Sequence, residues 1–275
     1  MSEMIKAVIL GIIQGLSEFL PISSSGHLVL FEALLDFHVE GIAFEVFVHF
    51  GTLLSVLVVF RKDIWEMIRW LPAVPGFVMG GLKIRSEEDE YKAMSFYIII
   101  GSIPVAIFGI LLQDEITALF NDVYLVLIAL FFTAMIMWSS RYTQERHPHM
   151  LWLHALIIGC AQMLAVVPGI SRSGSTIVTA LWLGVRRETA ARFSFLLSVP
   201  VIFGASILKL KELFATPPSS SELMNLILGT IAAAISGYFA IIWLLDIIKK
   251  QKLEWFGVYC AIVSVVGILL IKFVG

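Results

Sequence analysis

The sequence predicts an all-α polytopic membrane protein, with about six full transmembrane helices and two re-entrant helical hairpins in an inverted-topology repeat. Three observations carry this reading. Of the 275 residues, 59% are hydrophobic and only 15% charged, so too little polar surface exists to cover a water-soluble fold of this size. Six apolar runs are long enough to cross a bilayer. Two further apolar stretches are interrupted at their centres by Pro, Gly and Ser, residues that break a helix where bare backbone cannot face lipid.

The full spans are expected near 43–60, 93–113, 120–139, 192–210, 222–247 and 255–273. The interrupted stretches cover about 5–36 and 150–185. Basic residues test this count, because cytoplasmic loops collect Lys and Arg. Arg61, Lys62, Arg69, Lys83 and Arg85 lie in one loop, Arg141 and Arg146 in another, and Arg186, Arg187 and Lys249, Lys250, Lys252 mark two more. All four clusters face the cytoplasm only if 150–185 crosses an even number of times. A re-entrant hairpin does this; two full spans would also, but 171–185 is short for one. Both termini then lie outside, and Lys209 and Lys211 depart mildly from the rule. The whole chain, 1–275, reads as one membrane domain, with repeat copies at about 5–113 and 150–247 and a cytoplasmic loop at 61–92.

The repeat is visible in the residues. Shifting the first interrupted stretch by 148 positions aligns Gly11, Gln14, Ile22, Ser23, Ser25 and Gly26 with Gly159, Gln162, Ile170, Ser171, Ser173 and Gly174. Leu16 and Leu164 add a seventh match. Three spans separate the copies, so they enter the membrane from opposite sides. Such inverted repeats place a polar site between broken helices near the midplane.

The residues that carry chemistry sit in these two motifs. Gln14 and Glu18 share a helix face, and an ionisable group deep in an apolar run is functional by default. Pro21 ends that helix, and Ser23, Ser24 and Ser25 offer hydroxyl and backbone N–H groups where the next helix starts. His27 follows Ser24 by one turn, which is expected to bring the imidazole to the hydroxyl as a base–nucleophile pair requires. In the second copy Arg172 replaces Ser24, and its planar fork matches a phosphate. Ser171, Ser173, Thr176 and the helix-start N–H groups add anion donors. His49, within the first full span, is expected to pack or bond between helices. His38, His147, His149 and His154 stand at segment ends or in loops. Cys160 and Cys260 lie in apolar runs, and no disulfide framework or Cys-based metal site is expected. No basic block suggests a nucleic acid.

Gln14-x-x-x-Glu18, Ser-Ser-Ser-Gly-His at 23–27 and Pro-Gly-x-Ser-Arg-Ser-Gly at 168–174 together resemble the signatures of the bacitracin-resistance family of bacterial undecaprenyl-diphosphatases. The similarity extends over the whole chain. It implies hydrolysis of a polyprenyl diphosphate, undecaprenyl diphosphate, to the monophosphate plus phosphate, recycling the lipid carrier of cell-wall synthesis. It implies a divalent cation, Mg²⁺ or Ca²⁺, held by Glu18 together with Gln14, and a site facing the periplasm from the inner (plasma) membrane. This chain has Gln14 where the family motif reads Glu or Gln, so no pair of carboxylates is available at that spot.

On this basis Ser24, His27, Glu18 and Arg172 are the expected catalytic residues. Gln14, Ser23, Ser25, Gly26, Ser171, Ser173, Gly174 and Thr176 are the expected phosphate-binding residues. The nucleophile can be Ser24, His27 or water. A homodimer is expected. The other functional class is a transporter that flips polyprenyl phosphates, for which the Ser24–His27 pair would have no use.

Overall fold

The structure is a computed structural model and describes residues 1–37, 43–120, 122–147, 149–215, 219–250 and 252–274. His38 and Pro148 lie outside these residues. Thirteen α-helices follow one another, and no strand occurs among the described residues.

The first interrupted stretch is α1 (Glu3–Phe19) and α2 (Ser24–Leu35). The second is α9 (Trp152–Leu164) and α10 (Arg172–Trp182). The longest of these four helices has 17 residues, short of the ~20 that cross a bilayer, and each pair turns where the Pro, Gly and Ser residues sit. The expected spans appear as α3 (Ala43–Val59), α6 (Glu87–Leu111), α8 (Val123–Ser139), α11 (Arg187–Ala215), α12 (Ser220–Lys249) and α13 (Glu254–Val274). Among the described residues, α6, α8 with its 3₁₀ extension, α11, α12 and α13 are long and apolar enough to cross a membrane. The stretch Phe44–Val59 joins the following helices at an 80° bend and is the sixth candidate. Exposed Ile99, Ile103, Ile107, Ile235, Phe239, Ile262 and Leu269 form the apolar outer face that lipid covers. The chain is a multi-pass membrane protein.

The segment 61–92 is largely helical. It forms α4 (Arg61–Trp70), a 3₁₀ turn and α5 (Val74–Met79). Ile64, Met67 and Phe77 pack against the main apolar core, and Asp63 on α4 pairs with Arg192 on α11. The short α7 (Gln113–Leu119) links α6 to α8.

The two hairpins insert in equivalent ways. Helix α1 packs on α12, and α9 packs on α6, so each hairpin leans on a span from the other half of the chain. Matching glycines make both crossings. A Cβ on Gly11 would stand 2.3 Å from the Gly229 carbonyl oxygen, and one on Gly159 would stand 2.4 Å from that of Gly101. Small residues let helix backbones approach this closely, where dispersion rather than hydrophobic burial holds membrane helices together. The crossings bring the hairpin tips into contact: a Cβ on Gly26 would meet the Gly169 Cα at 3.3 Å, and Ser173 Oγ donates to the Leu20 carbonyl at 3.4 Å.

Candidate active site

The turn of each hairpin is held by the same local device. Ser23 caps α2 and accepts from the Gly26 N–H at 3.3 Å; Ser171 caps α10 and accepts from the Gly174 N–H at 3.1 Å. Each cap hydroxyl also meets the serine two residues on, Ser25 at 3.4 Å and Ser173 at 3.3 Å. Ser23 carries φ 71°, a strained backbone for a residue with a Cβ. In the second turn Gly169, at φ 96°, takes the left-handed position instead. Its carbonyl accepts from Thr133 Oγ1 at 2.8 Å, and the same hydroxyl accepts from the Ser171 N–H at 2.9 Å. The two N-termini thereby converge, and first-turn N–H groups without intrahelical partners favour anions.

Glu18 lies where they meet. Ser24 Oγ donates to its Oε2 at 2.5 Å, and Gln14 Nε2 donates to the same oxygen at 2.9 Å. The Arg172 guanidinium donates to Oε1. His49 Nε2 stands 3.5 Å from Oε2, and its Nδ1 donates to the Glu45 carbonyl at 2.7 Å. The carboxyl side chain is 5% exposed, so this buried charge is matched by a cation and further polar contacts.

A cavity of about 580 Å³ opens over the group. One wall, from α1, α2 and α3, presents Ser17, Glu18, Ser24, Ser25, Glu45 and His49. The rest of the lining is mostly apolar, with Val105, Phe120, Val166 and Ile202, interrupted by Gln162 and Ser206. Ser171 and Arg172 complete it.

Of the residues expected from sequence, the cavity wall therefore holds Glu18, Ser24, Ser25, Ser171 and Arg172. Ser23, Gly26 and Gly174 are engaged in the caps. Ser173 reaches the Leu20 carbonyl, Thr176 bonds Ser194 at 2.6 Å, and Gln14 lies behind Glu18. His27 does not meet the Ser24 hydroxyl as its spacing suggested. Its Nδ1 donates to the Ser23 carbonyl at 2.8 Å, which leaves Nε2 to accept from the Tyr259 hydroxyl at 2.8 Å. The rings stack with centroids 5.6 Å apart. An i, i+3 spacing gives proximity on a helix, but the cap turns Ser24 toward Glu18 and the imidazole toward α13. Sequence reasoning expected His49 to pack or bond between helices, and its Nε2 meets Glu18 of α1 from α3; that reasoning gave Glu45 and Gln162 no part in the site. For Gln162 the signal existed in the repeat, which pairs it with Gln14.

Among the described residues no cluster of three or more His, Cys, Asp or Glu side chains could form a closed metal site. Glu18 and Glu45 both line the cavity, and Mg²⁺ typically takes one or two carboxylates and completes its shell with phosphate and water.

The chain matches the family described as bacitracin resistance protein BacA over residues 7–266. A relative named undecaprenyl-diphosphatase from Halothermothrix orenii is 44% identical over 98% of this chain and 98% of its own. One of the same name from Methanosphaera stadtmanae is 41% identical over 98% and 99%. Undecaprenyl-diphosphatase 1 of Bacillus licheniformis is 37% identical over 95% and 96%.

Proposed function

The chain belongs to the BacA family, and from that premise we infer that it is an undecaprenyl-diphosphatase, an enzyme that hydrolyses undecaprenyl diphosphate to the monophosphate and inorganic phosphate. The observation that carries the site assignment is the sharing of Glu18 by a hydroxyl and a guanidinium on one cavity wall. A hydroxyl donating to a carboxylate is poised to lose its proton as it attacks.

In this reading the diphosphate enters the cavity and its hydrocarbon follows the apolar wall out to lipid. Arg172 and the first-turn N–H groups of α2 and α10 hold the terminal phosphate. Ser24 Oγ attacks its phosphorus while Glu18 takes the hydroxyl proton. The bond from that phosphorus to the bridging oxygen breaks, and the prenyl monophosphate leaves with the electron pair. Water then cleaves the phosphoserine, with Glu18 placed to manage the proton. Because Arg172 holds the other carboxylate oxygen, it moves to the phosphate as negative charge builds there. A divalent cation bound by Glu18 and Glu45 would neutralise charge on the diphosphate. His27 positions the Ser23 turn through its carbonyl.

The cavity includes Ile116 and Phe120 beside the α6–α8 connection, on the side opposite the basic loops. By the positive-inside rule it opens to the outer face of the plasma membrane. A flippase would leave the Ser24–Glu18 contact without a task.

The test is phosphate release from farnesyl or undecaprenyl diphosphate by purified protein in detergent, with Mg²⁺ or with EDTA, beside Ser24→Ala and Arg172→Ala. Cation-dependent release lost in both variants is the expected result. Release retained by Ser24→Ala would move the nucleophile to water. No release from folded wild-type protein would overturn the assignment.

A further inference from the structure

Gln162 holds the position in α9 that Gln14 holds in α1. Gln14 Nε2 donates to Glu18 one turn on. In the second copy the residue matching Glu18 is Val166, so Gln162 has no carboxylate to bond. It is 1% exposed, and neither its Nε2 nor its Oε1 has a hydrogen-bond partner. Leaving such a group unpaired is costly, because its desolvation is not offset. Gln14, Arg192 and Asn225 also carry an unpaired buried atom, but among these four residues Gln162 alone lines the cavity.

Its place in the cavity narrows its ligand. The residues around the reacting hydroxyl belong to α1, α2, α3 and α10. Gln162, on α9, lines the same cavity together with the apolar Ala165, Val166 and Val105. A diphosphate whose terminal group lies at Ser24 and whose hydrocarbon follows the apolar wall has its lipid-linked phosphate between the two. We propose that Gln162 binds this lipid-linked phosphate, its Nε2 donating to an oxygen that stays with the product. The inference rests on the reading of the cavity given above. A neutral amide suits this position: it holds the phosphate before and after the reaction without adding the charge that would trap the monophosphate.

The experiment compares wild type with Gln162→Met, close in shape but without donors, using farnesyl diphosphate as substrate and farnesyl monophosphate and inorganic phosphate as competitive inhibitors. Loss of one neutral hydrogen bond is expected to raise KM about 10-fold, with a smaller fall in kcat, and to raise the farnesyl monophosphate inhibition constant by about the same factor. Inhibition by inorganic phosphate should stay within about twofold. The melting midpoint in detergent should not fall, since an unpaired buried amide has been removed. Gln162→Glu should raise KM further, by repulsion. Unchanged KM and product inhibition would overturn the proposal, as would weakening of inorganic phosphate alone. A lower melting midpoint for Gln162→Met would make Gln162 a packing residue. Ser24→Ala and Arg172→Ala, run in parallel, separate the two levels: if both remain active, the site reading fails first.

Discussion

Ser24 and Arg172 stand at equivalent positions of the two repeat copies and bind opposite oxygens of one carboxylate. Ser24 Oγ donates to Oε2 of Glu18 at 2.5 Å, and Arg172 donates to Oε1. The two helix starts thus stand against each other, and the difference at this one position makes their chemistry complementary. Removing the hydroxyl should cost catalysis and little else, because Glu18 keeps its cation. For Ser24→Ala we expect a fall in kcat of at least about 1000-fold, with an unchanged melting midpoint, measured by phosphate release and thermal unfolding in detergent.

Arg172 and Glu18 behave differently, as each neutralises the other in a buried setting. Taking away one partner of such a pair typically costs about 3–5 kcal/mol, because an uncompensated charge remains. Glu18→Gln and Arg172→Met should each lower the melting midpoint, and the double variant should lose less than the sum. Additive losses would mean that solvent screens the pair. Arg172→Lys keeps the charge and loses the planar fork, so kcat/KM should fall at least ~100-fold, or ~3 kcal/mol. Activity within threefold of wild type would remove the phosphate clamp.

The two broken helix pairs and five of the six expected spans were legible because apolar length and helix breaks are written locally. The 148-residue shift between the Gly11–Gly26 and Gly159–Gly174 segments pairs residues that make matching caps, Ser23 with Gly26 and Ser171 with Gly174. What spacing could not show is which neighbour each side chain chooses. The i, i+3 relation of Ser24 and His27 suggested a pair, yet Tyr259, more than two hundred residues away, holds the imidazole. His49 and Glu45 reach the cavity only because α3 passes α1, a contact absent from any local pattern. The segment 61–92 read as a cytoplasmic loop, while Ile64, Met67 and Phe77 draw its helices onto the core.

The glycine crossings give a prediction about the fold alone. Gly159→Ala places a Cβ 2.4 Å from the backbone oxygen of Gly101, a contact no side-chain rotation relieves. Helix α9 must shift, at a cost of the order of 1–3 kcal/mol. Gly11→Ala meets Gly229 in the same way. Gly109→Ala, in the same class of apolar helix, has open space around the new Cβ and should be neutral or slightly stabilising. Thermal unfolding of the three variants in one detergent checks the ranking. A Gly159→Ala protein as stable as Gly109→Ala would show that the α6–α9 crossing is looser than described.

His27 offers the sharpest separation of a positioning role from a chemical one. Its Nδ1 is committed to the Ser23 carbonyl and its Nε2 to the Tyr259 hydroxyl, so neither nitrogen faces the Ser24 hydroxyl. Glutamine can reproduce both contacts, with an N–H donor for the carbonyl and an oxygen for the tyrosine. A general base replaced by glutamine would lose about 10²–10⁴ in rate. His27→Gln is therefore expected to keep activity within about 10-fold of wild type, well short of a lost acid–base group. Tyr259→Phe leaves Nε2 buried without its partner and should destabilise by about 1–3 kcal/mol, with a similarly modest loss of turnover. A His27→Gln protein that folds normally but loses three orders of magnitude would return the imidazole to the reaction. The Ser23 turn would then have to rearrange when substrate binds, since its strained φ of 71° now aims Ser24 at Glu18 rather than at His27.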